Sequence, residues 1–133
     1  MSSLLYLVLA VAGGFLVLLV GLNMLVRWKA GAMRGQPLPE VPGPMGPALS
    51  KAQQALVYFF SPQCGACRML TPKMRALSSG NENVFVVDIT QQLEVARALR
   101  VLATPTTFEI ERGVVVGVHI GGLPPEVERR FAM

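Results

Sequence analysis

Cysteine is scarce in this chain: Cys64 and Cys67 are the only two, and they stand three residues apart. Two cysteines cannot build a disulfide-stapled scaffold. Histidine is scarcer still, with His119 alone in a distant segment, so a four-ligand metal site lacks its ligands. Charge is also sparse. Charged residues make up 15% of the 133, against 52% apolar, where a soluble domain carries about 25% charged. That balance excludes a charge-rich disordered protein. The net charge of +4 is spread without a basic stripe or interleaved aromatics, which argues against nucleic acid as a partner. The methionines are scattered and form no spaced cluster.

What the chain does have is one long apolar run. Leu4 to Val26 is 23 residues without a charge, long enough as a helix to cross a hydrocarbon core of about 30 Å. Residues 1–3 form a short tail before it. A secretory signal peptide is the rival reading, but Met1-Ser2-Ser3 offers no basic side chain and the run exceeds a signal core. The expectation is an uncleaved single-pass anchor in the inner (plasma) membrane, touching lipid through residues 4–26. Arg27, Lys29 and Arg34 flank its C-terminal end, and Trp28 sits where an interfacial aromatic would. The positive-inside rule then places the C-terminal side in the cytoplasm, with the periplasmic side as the alternative.

Residues 27–47 read as a basic flank and a Pro/Gly-rich linker. Five prolines and four glycines between positions 30 and 47 argue against a regular helix. They favour a stiff, extended tether that holds a domain off the bilayer.

Residues 48–133 suffice for one small α/β domain. Leu49–Gln54 is a short helical candidate. Ala55–Phe60 is a continuous apolar run suited to a central strand. Cys64–Leu77 reads as a helix, ended by Ser78-Ser79-Gly80-Asn81, and Val84–Ile89 as a second buried strand. Gln91–Arg100 reads as a helix. Thr106–Ile110 and Val114–Ile120 read as strands joined closely enough for a hairpin. Pro125–Phe131 closes the chain as a helix. The order α-β-α-β-α-β-β-α implies a mixed sheet with helices on both faces. Alternation in the last strand puts Val114, Val116, Val118 and Ile120 on one face and Val115, Gly117 and His119 on the other. His119 reads as a surface or sheet-edge histidine, and Asp88 as a cap for the turn after its strand.

Cys64-Gly65-Ala66-Cys67 is the sharp signal. It follows a buried strand and opens a helix. At a helix start, free backbone N–H groups favour a thiolate at Cys64 and make it the attacking sulfur. Cys67, one turn inside and more buried, can attack the mixed disulfide and release the product. A purely structural pair and half of a metal site are the other readings of the same spacing.

The segment Phe59–Pro72 resembles the active-site region of thioredoxins, with Arg68 and Pro72 at the places of the family's basic residue and helix-kinking proline. Ala103-Thr104-Pro105-Thr106 resembles the family's loop before its third strand. Gly113 and Gly121 match glycines of the final hairpin and the loop after it. The resemblance covers roughly residues 49–131 and implies a thioredoxin-like α/β fold behind the transmembrane helix. It implies a cis Thr104–Pro105 bond beside the cysteine pair, and a Thr104 backbone that pairs with an extended substrate chain. Gln63, Gly65, Ala66, Thr104 and Pro105 are then the substrate-binding residues around catalytic Cys64 and Cys67.

Three departures bear on activity. Gln63 replaces the family's tryptophan, Ala66 replaces its proline, and Tyr58 stands where a buried acid helps move protons. Tyrosine is a poor base near neutral pH. The implied activity is thiol–disulfide exchange with protein dithiols or disulfides. It needs no bound cofactor, only an upstream electron donor or acceptor. A binding or assembly module that recruits one membrane partner is the alternative.

Overall fold

The sheet is built outward from its most apolar strand. In a computed structural model describing residues 1–132, β1 (Gln54–Phe60) is buried from Ala55 through Phe59. A strand can be apolar at every position only if both faces are covered. Here they are. β2 (Val84–Asp88) pairs parallel to β1, and β3 (Thr106–Glu111) pairs antiparallel on its other side. β4 (Val114–Ile120) pairs antiparallel to β3 and forms the edge, giving the order β2-β1-β3-β4.

Helices cover both faces. On one, α2 (Met45–Lys51) and α4 (Leu93–Ala98) bring Leu49, Val95 and Ala96 against Val57, Phe59, Phe108 and Ile110. On the other, α3 (Cys67–Gly80) and α5 (Pro125–Ala132) bring Met74, Val127 and Phe131 against Leu56 and Tyr58. The element order and mixed sheet match the sequence-based expectation.

N-terminal to this body, α1 (Ser2–Ala30) leaves its apolar side chains exposed. It is the one helix among the described residues long and apolar enough to cross a membrane. By length and composition it can serve as an anchor or as a signal sequence.

The segment after α1 departs from the expected tether. A 3₁₀ turn (Gly31–Met33) follows α1 directly, and Met33 and Val41 are 7% and 6% exposed within the same core as Leu49 and Val115. Gly35 N–H donates to the Val115 carbonyl (2.7 Å), Val115 N–H to Gln36 (3.0 Å) and Leu38 N–H to Gly113 (2.8 Å). Pro37, which has no N–H to offer, bridges Val114 between these bonds. Proline content excludes a central strand but not an edge pairing that uses the neighbours' donors. Burying Met33 and Val41 contributes about 1.5–3 kcal/mol each, enough to favour docking over a free tether.

Smaller boundary differences have local causes. α2 begins at Met45, ahead of the expected Leu49, because Pro47 falls in the first turn, where a missing N–H costs nothing. α3 begins at Cys67 rather than Cys64, and it runs on through Gly80, with Asn81 as its C-cap. α4 is shorter than Gln91–Arg100. It ends where Arg100 adopts φ 54° and the Val101 and Arg100 N–H groups bond back to the Ala96 and Arg97 carbonyls (2.9 and 3.1 Å), a Schellman closure. Asp88 accepts from the Thr90 N–H and hydroxyl (2.9 and 2.6 Å), as expected of a turn cap.

The simple alternation expected in β4 does not hold. Glu109 pairs with Gly117 and Ile110 with Val115, so Val116 is an extra residue, a β-bulge. The bulge resets the faces: Val115 and Val118 both pack on the α2/α4 side. The tight turn into β4 uses Arg112 and Gly113, both at positive φ (50° and 76°), as a two-residue hairpin requires.

Candidate functional site

β1 delivers the chain to one end of the sheet at Phe60. A turn follows, closed by Cys64 N–H on the Ser61 carbonyl (3.0 Å) and braced by the Ser61 hydroxyl donating to Gln63 Oε1 (3.1 Å). Ala66 is the N-cap residue and Cys67 the first residue of α3. Cys64 therefore lies three residues ahead of the helix, in the turn, rather than at its start, and Cys67 is not one turn inside. Cys67 N–H, one of the helix's unpaired first-turn donors, points at Cys64 Sγ at 3.2 Å. An N–H aimed at sulfur from a helix start favours negative charge there.

Cys64 and Cys67 are joined as a disulfide, with Cα atoms 5.3 Å apart. Their exposure differs in the expected sense: Cys67 is 2% exposed, Cys64 half-buried, and Gly65 and Ala66 between them are open to solvent. Gln63 is exposed beside them. Arg68 and Pro72 follow in α3, with Pro72 inside the helix.

The second expected segment arrives at the same end of the sheet. Because Phe59 pairs with Thr106, the start of β3 lies beside the end of β1. The loop through Thr104 and Pro105 thus shares that end with residues 61–66. The Thr104–Pro105 peptide is cis. Pro105 is buried and Thr104 half-buried. The Pro105 carbonyl accepts from Gly121 N–H (3.0 Å), and the Thr106 hydroxyl donates to the Ala103 carbonyl (2.6 Å).

Tyr58 on β1 is fully buried, and its hydroxyl bonds Thr71 Oγ1 of α3 at 2.8 Å. Burial pushes its pKa up, and the Thr71 hydrogen bond and the Arg75 charge only partly offset this. Tyr58 is neutral at physiological pH and cannot take a proton from Cys67. Thr71 was not singled out from the sequence. Its place one helical turn after Cys67 is the signal that would have found it.

A second polar group was also missed. Glu109 is 8% exposed, with Oε1 accepting from Arg130 Nη2 and Oε2 in contact with His119 Nε2, both at 2.7 Å. Gly117 leaves room for this group: a Cβ at that position would sit 2.5 Å from Glu109 Oε2 and push that side chain aside. His119 lies on the edge strand, as expected, but its side chain is largely covered and in hydrogen-bond contact with Glu109. The group ties α5 to the β3–β4 hairpin and takes no part in the cysteine site. Among the described residues no cluster of three or more His, Cys, Asp or Glu is arranged to hold a metal.

The thioredoxin family profile matches residues 47–128. The chain is 35% identical over 85 residues to a thioredoxin of Echinococcus granulosus, covering 62% of this chain and 79% of that one. It is 32% identical over 83 residues to thioredoxin-2 of Pyricularia oryzae, covering 61% of this chain but 48% of that one, about half its length. Among solved structures, reduced Schistosoma mansoni thioredoxin preprotein superposes with a TM-score of 0.56 at 29% identity, over 69% of this chain and 90% of that one. Oxidised Plasmodium falciparum thioredoxin superposes with a TM-score of 0.53 at 23% identity, over 65% and 88%, a likeness of fold.

Proposed function

We propose, for a chain that belongs to the thioredoxin family and is a thiol–disulfide oxidoreductase acting through a cysteine pair, a membrane-tethered form of that chemistry. Cys64 is the nucleophile and Cys67 the resolving cysteine. The observation that carries the assignment is the asymmetry of the pair: Cys64 is reachable and receives the Cys67 N–H, while Cys67 is buried behind it.

In the reducing direction, the Cys64 thiolate attacks one sulfur of a substrate disulfide. That bond breaks, one substrate thiolate leaves, and a Cys64–substrate disulfide forms. Cys67 loses its proton to water and attacks Cys64 Sγ, and the second substrate thiolate departs. Two electrons have passed to the substrate and the domain holds its own disulfide. An upstream dithiol restores it, and no bound cofactor is called for. The reverse sequence oxidises a substrate dithiol.

Gln63, Gly65, Ala66, Thr104 and Pro105 form the surface against which the substrate chain lies, with the Thr104 backbone pairing to it. Without a large aromatic at position 63 and without an acid at position 58, this surface suits a narrow set of partners rather than general reduction. α1 acts as a single-pass anchor in the inner membrane, and Arg27, Lys29 and Arg34 favour a cytoplasmic domain.

The test is trapping. Cys67→Ala is expected to accumulate mixed disulfides through Cys64 that dithiothreitol releases. Cys64→Ser is expected to lower exchange at least 100-fold. Exchange at the parent rate in Cys64→Ser would overturn the assignment.

A further inference from the structure

The segment between α1 and the sheet is built into the domain, and this limits where the cysteine pair can work. As an extended proline-rich tether, residues 27–47 would reach about 65 Å. They are not free to do so. Met33 and Val41 are core residues, Gly35 and Gln36 are bonded to Val115 of β4, and Leu38 to Gly113 in the turn before it. Gly46 lies against the Val41 carbonyl, where a Cβ would clash. Only residues 27–32 then lie between Val26, at the end of the span, and Met33 in the core. Fully stretched they cover at most about 25 Å. With residues 27–30 in α1 and 31–33 in the 3₁₀ turn, the distance falls to about 12 Å.

The body of the domain is about 30 Å across. Whatever its tilt, Cys64 stays within roughly 40 Å of the bilayer surface while this connection keeps its folded form. We infer that, among membrane-held partners, this chain serves integral membrane proteins whose reactive cysteines lie close to that surface. Such a partner shares the two-dimensional volume in which the domain is held, so its effective concentration is raised without any added contact. Cysteines carried on a membrane protein far above the bilayer are out of reach. This deepens the membrane-tethered reading above and rests on it.

The experiment uses the full-length chain with Cys67→Ala, reconstituted in phosphatidylcholine vesicles. The reporter is a lipid-anchored peptide whose one cysteine is disulfide-bonded to thionitrobenzoate. Cys64 thiolate attacks the peptide sulfur, the peptide–Cys64 disulfide forms, and thionitrobenzoate leaves as the coloured, more acidic thiolate. One reporter holds the cysteine next to the headgroups. The other carries it on a rigid helical stalk of about 60 Å. Capture of the short reporter is expected to be at least tenfold faster. A 20-residue Gly/Ser insertion between Gly31 and Ala32 is expected to bring the two rates within threefold. Equal rates for the chain without the insertion overturn the inference, and so does an insertion that leaves the ratio unchanged. Flotation separates this failure from the other: a chain that does not rise with the vesicles overturns the anchor itself, and the inference with it.

Discussion

Two apolar runs dominate the chain, and they meet opposite fates. In α1, Leu4, Leu7, Phe15, Leu18 and their neighbours are exposed on every side. In β1, Leu56, Val57, Tyr58 and Phe59 are 0% exposed. Composition hardly distinguishes them, but length and backbone do. A run of 23 residues is too long for one strand of a small sheet, and as a helix it satisfies its own backbone in lipid. A run of six satisfies its backbone only through β2 and β3, so it is buried by protein. Two runs of like composition therefore differ in what their backbones require: the strand needs protein on both sides of it, and the helix does not.

The comparison breaks most visibly in α1. Leu16→Arg with Val17→Arg places two charges mid-span, costing about 3 kcal/mol each on the insertion scale. The expected result is loss of the chain from the floating vesicle fraction with no change in the domain's melting temperature. Unchanged flotation would count against a spanning α1.

Phenylalanine gives the matched test of the two runs. Phe59→Ala removes a ring that packs edge-on to Phe108, with ring centroids 5.6 Å apart, and is expected to destabilise the domain by about 3–5 kcal/mol. Phe15→Ala in α1 is expected to leave domain melting untouched. Equal effects in thermal unfolding would erase the distinction.

Tyr58 sharpens it, because it is the one hydroxyl in the buried run. Tyr58→Phe loses the Thr71 hydrogen bond, at about 1 kcal/mol. The pH dependence has a definite sign. Burial raises the folded-state pKa above the ordinary 10.0, so the unfolded chain ionises first. Stability is full below pH 10 and falls as pH rises beyond it. Urea unfolding at pH 8 and pH 11 should show a steeper loss in the parent than in Tyr58→Phe.

The smallest expected effect lies outside both runs. Arg100 holds φ 54° after α4, a conformation glycine adopts without strain. Arg100→Gly is expected to stabilise the domain by about 0.5–1 kcal/mol. A lower melting temperature would mean that the arginine side chain contributes more than its backbone costs.

The legible parts of the fold were those carried by local pattern. The strands at 54–60 and 84–88 are built on the continuous apolar runs Ala55–Phe60 and Val84–Val87, and the hairpin turn at Arg112-Gly113 is short and contains glycine. The site was legible because Cys64 and Cys67 are close in sequence and because Pro105 carries its own motif. Hidden from such a reading was every arrangement whose partner lies far along the chain. Glu109 is in sequence one acid within a strand, and only the fold brings Arg130 and His119 to it. The start of α3 moved to Cys67 because the turn after β1 takes up three more residues.

The sequence by itself determined where the long apolar runs lie, the order of helices and strands, and the placing of a Cys-Gly-Ala-Cys turn after a buried strand. These follow from side-chain period, turn chemistry and spacing, all readable within a few residues. Only the tertiary structure decided that residues 33–46 dock on the sheet instead of standing free. It also decided that Val116 bulges and that the Pro105 loop shares one end of the sheet with Cys64. The reason is physical. An edge strand's open N–H and C=O groups, and the space left beside a core, exist only after distant segments have met. No local pattern in a proline-rich stretch records that Val115 and Gly113 will be there to receive it.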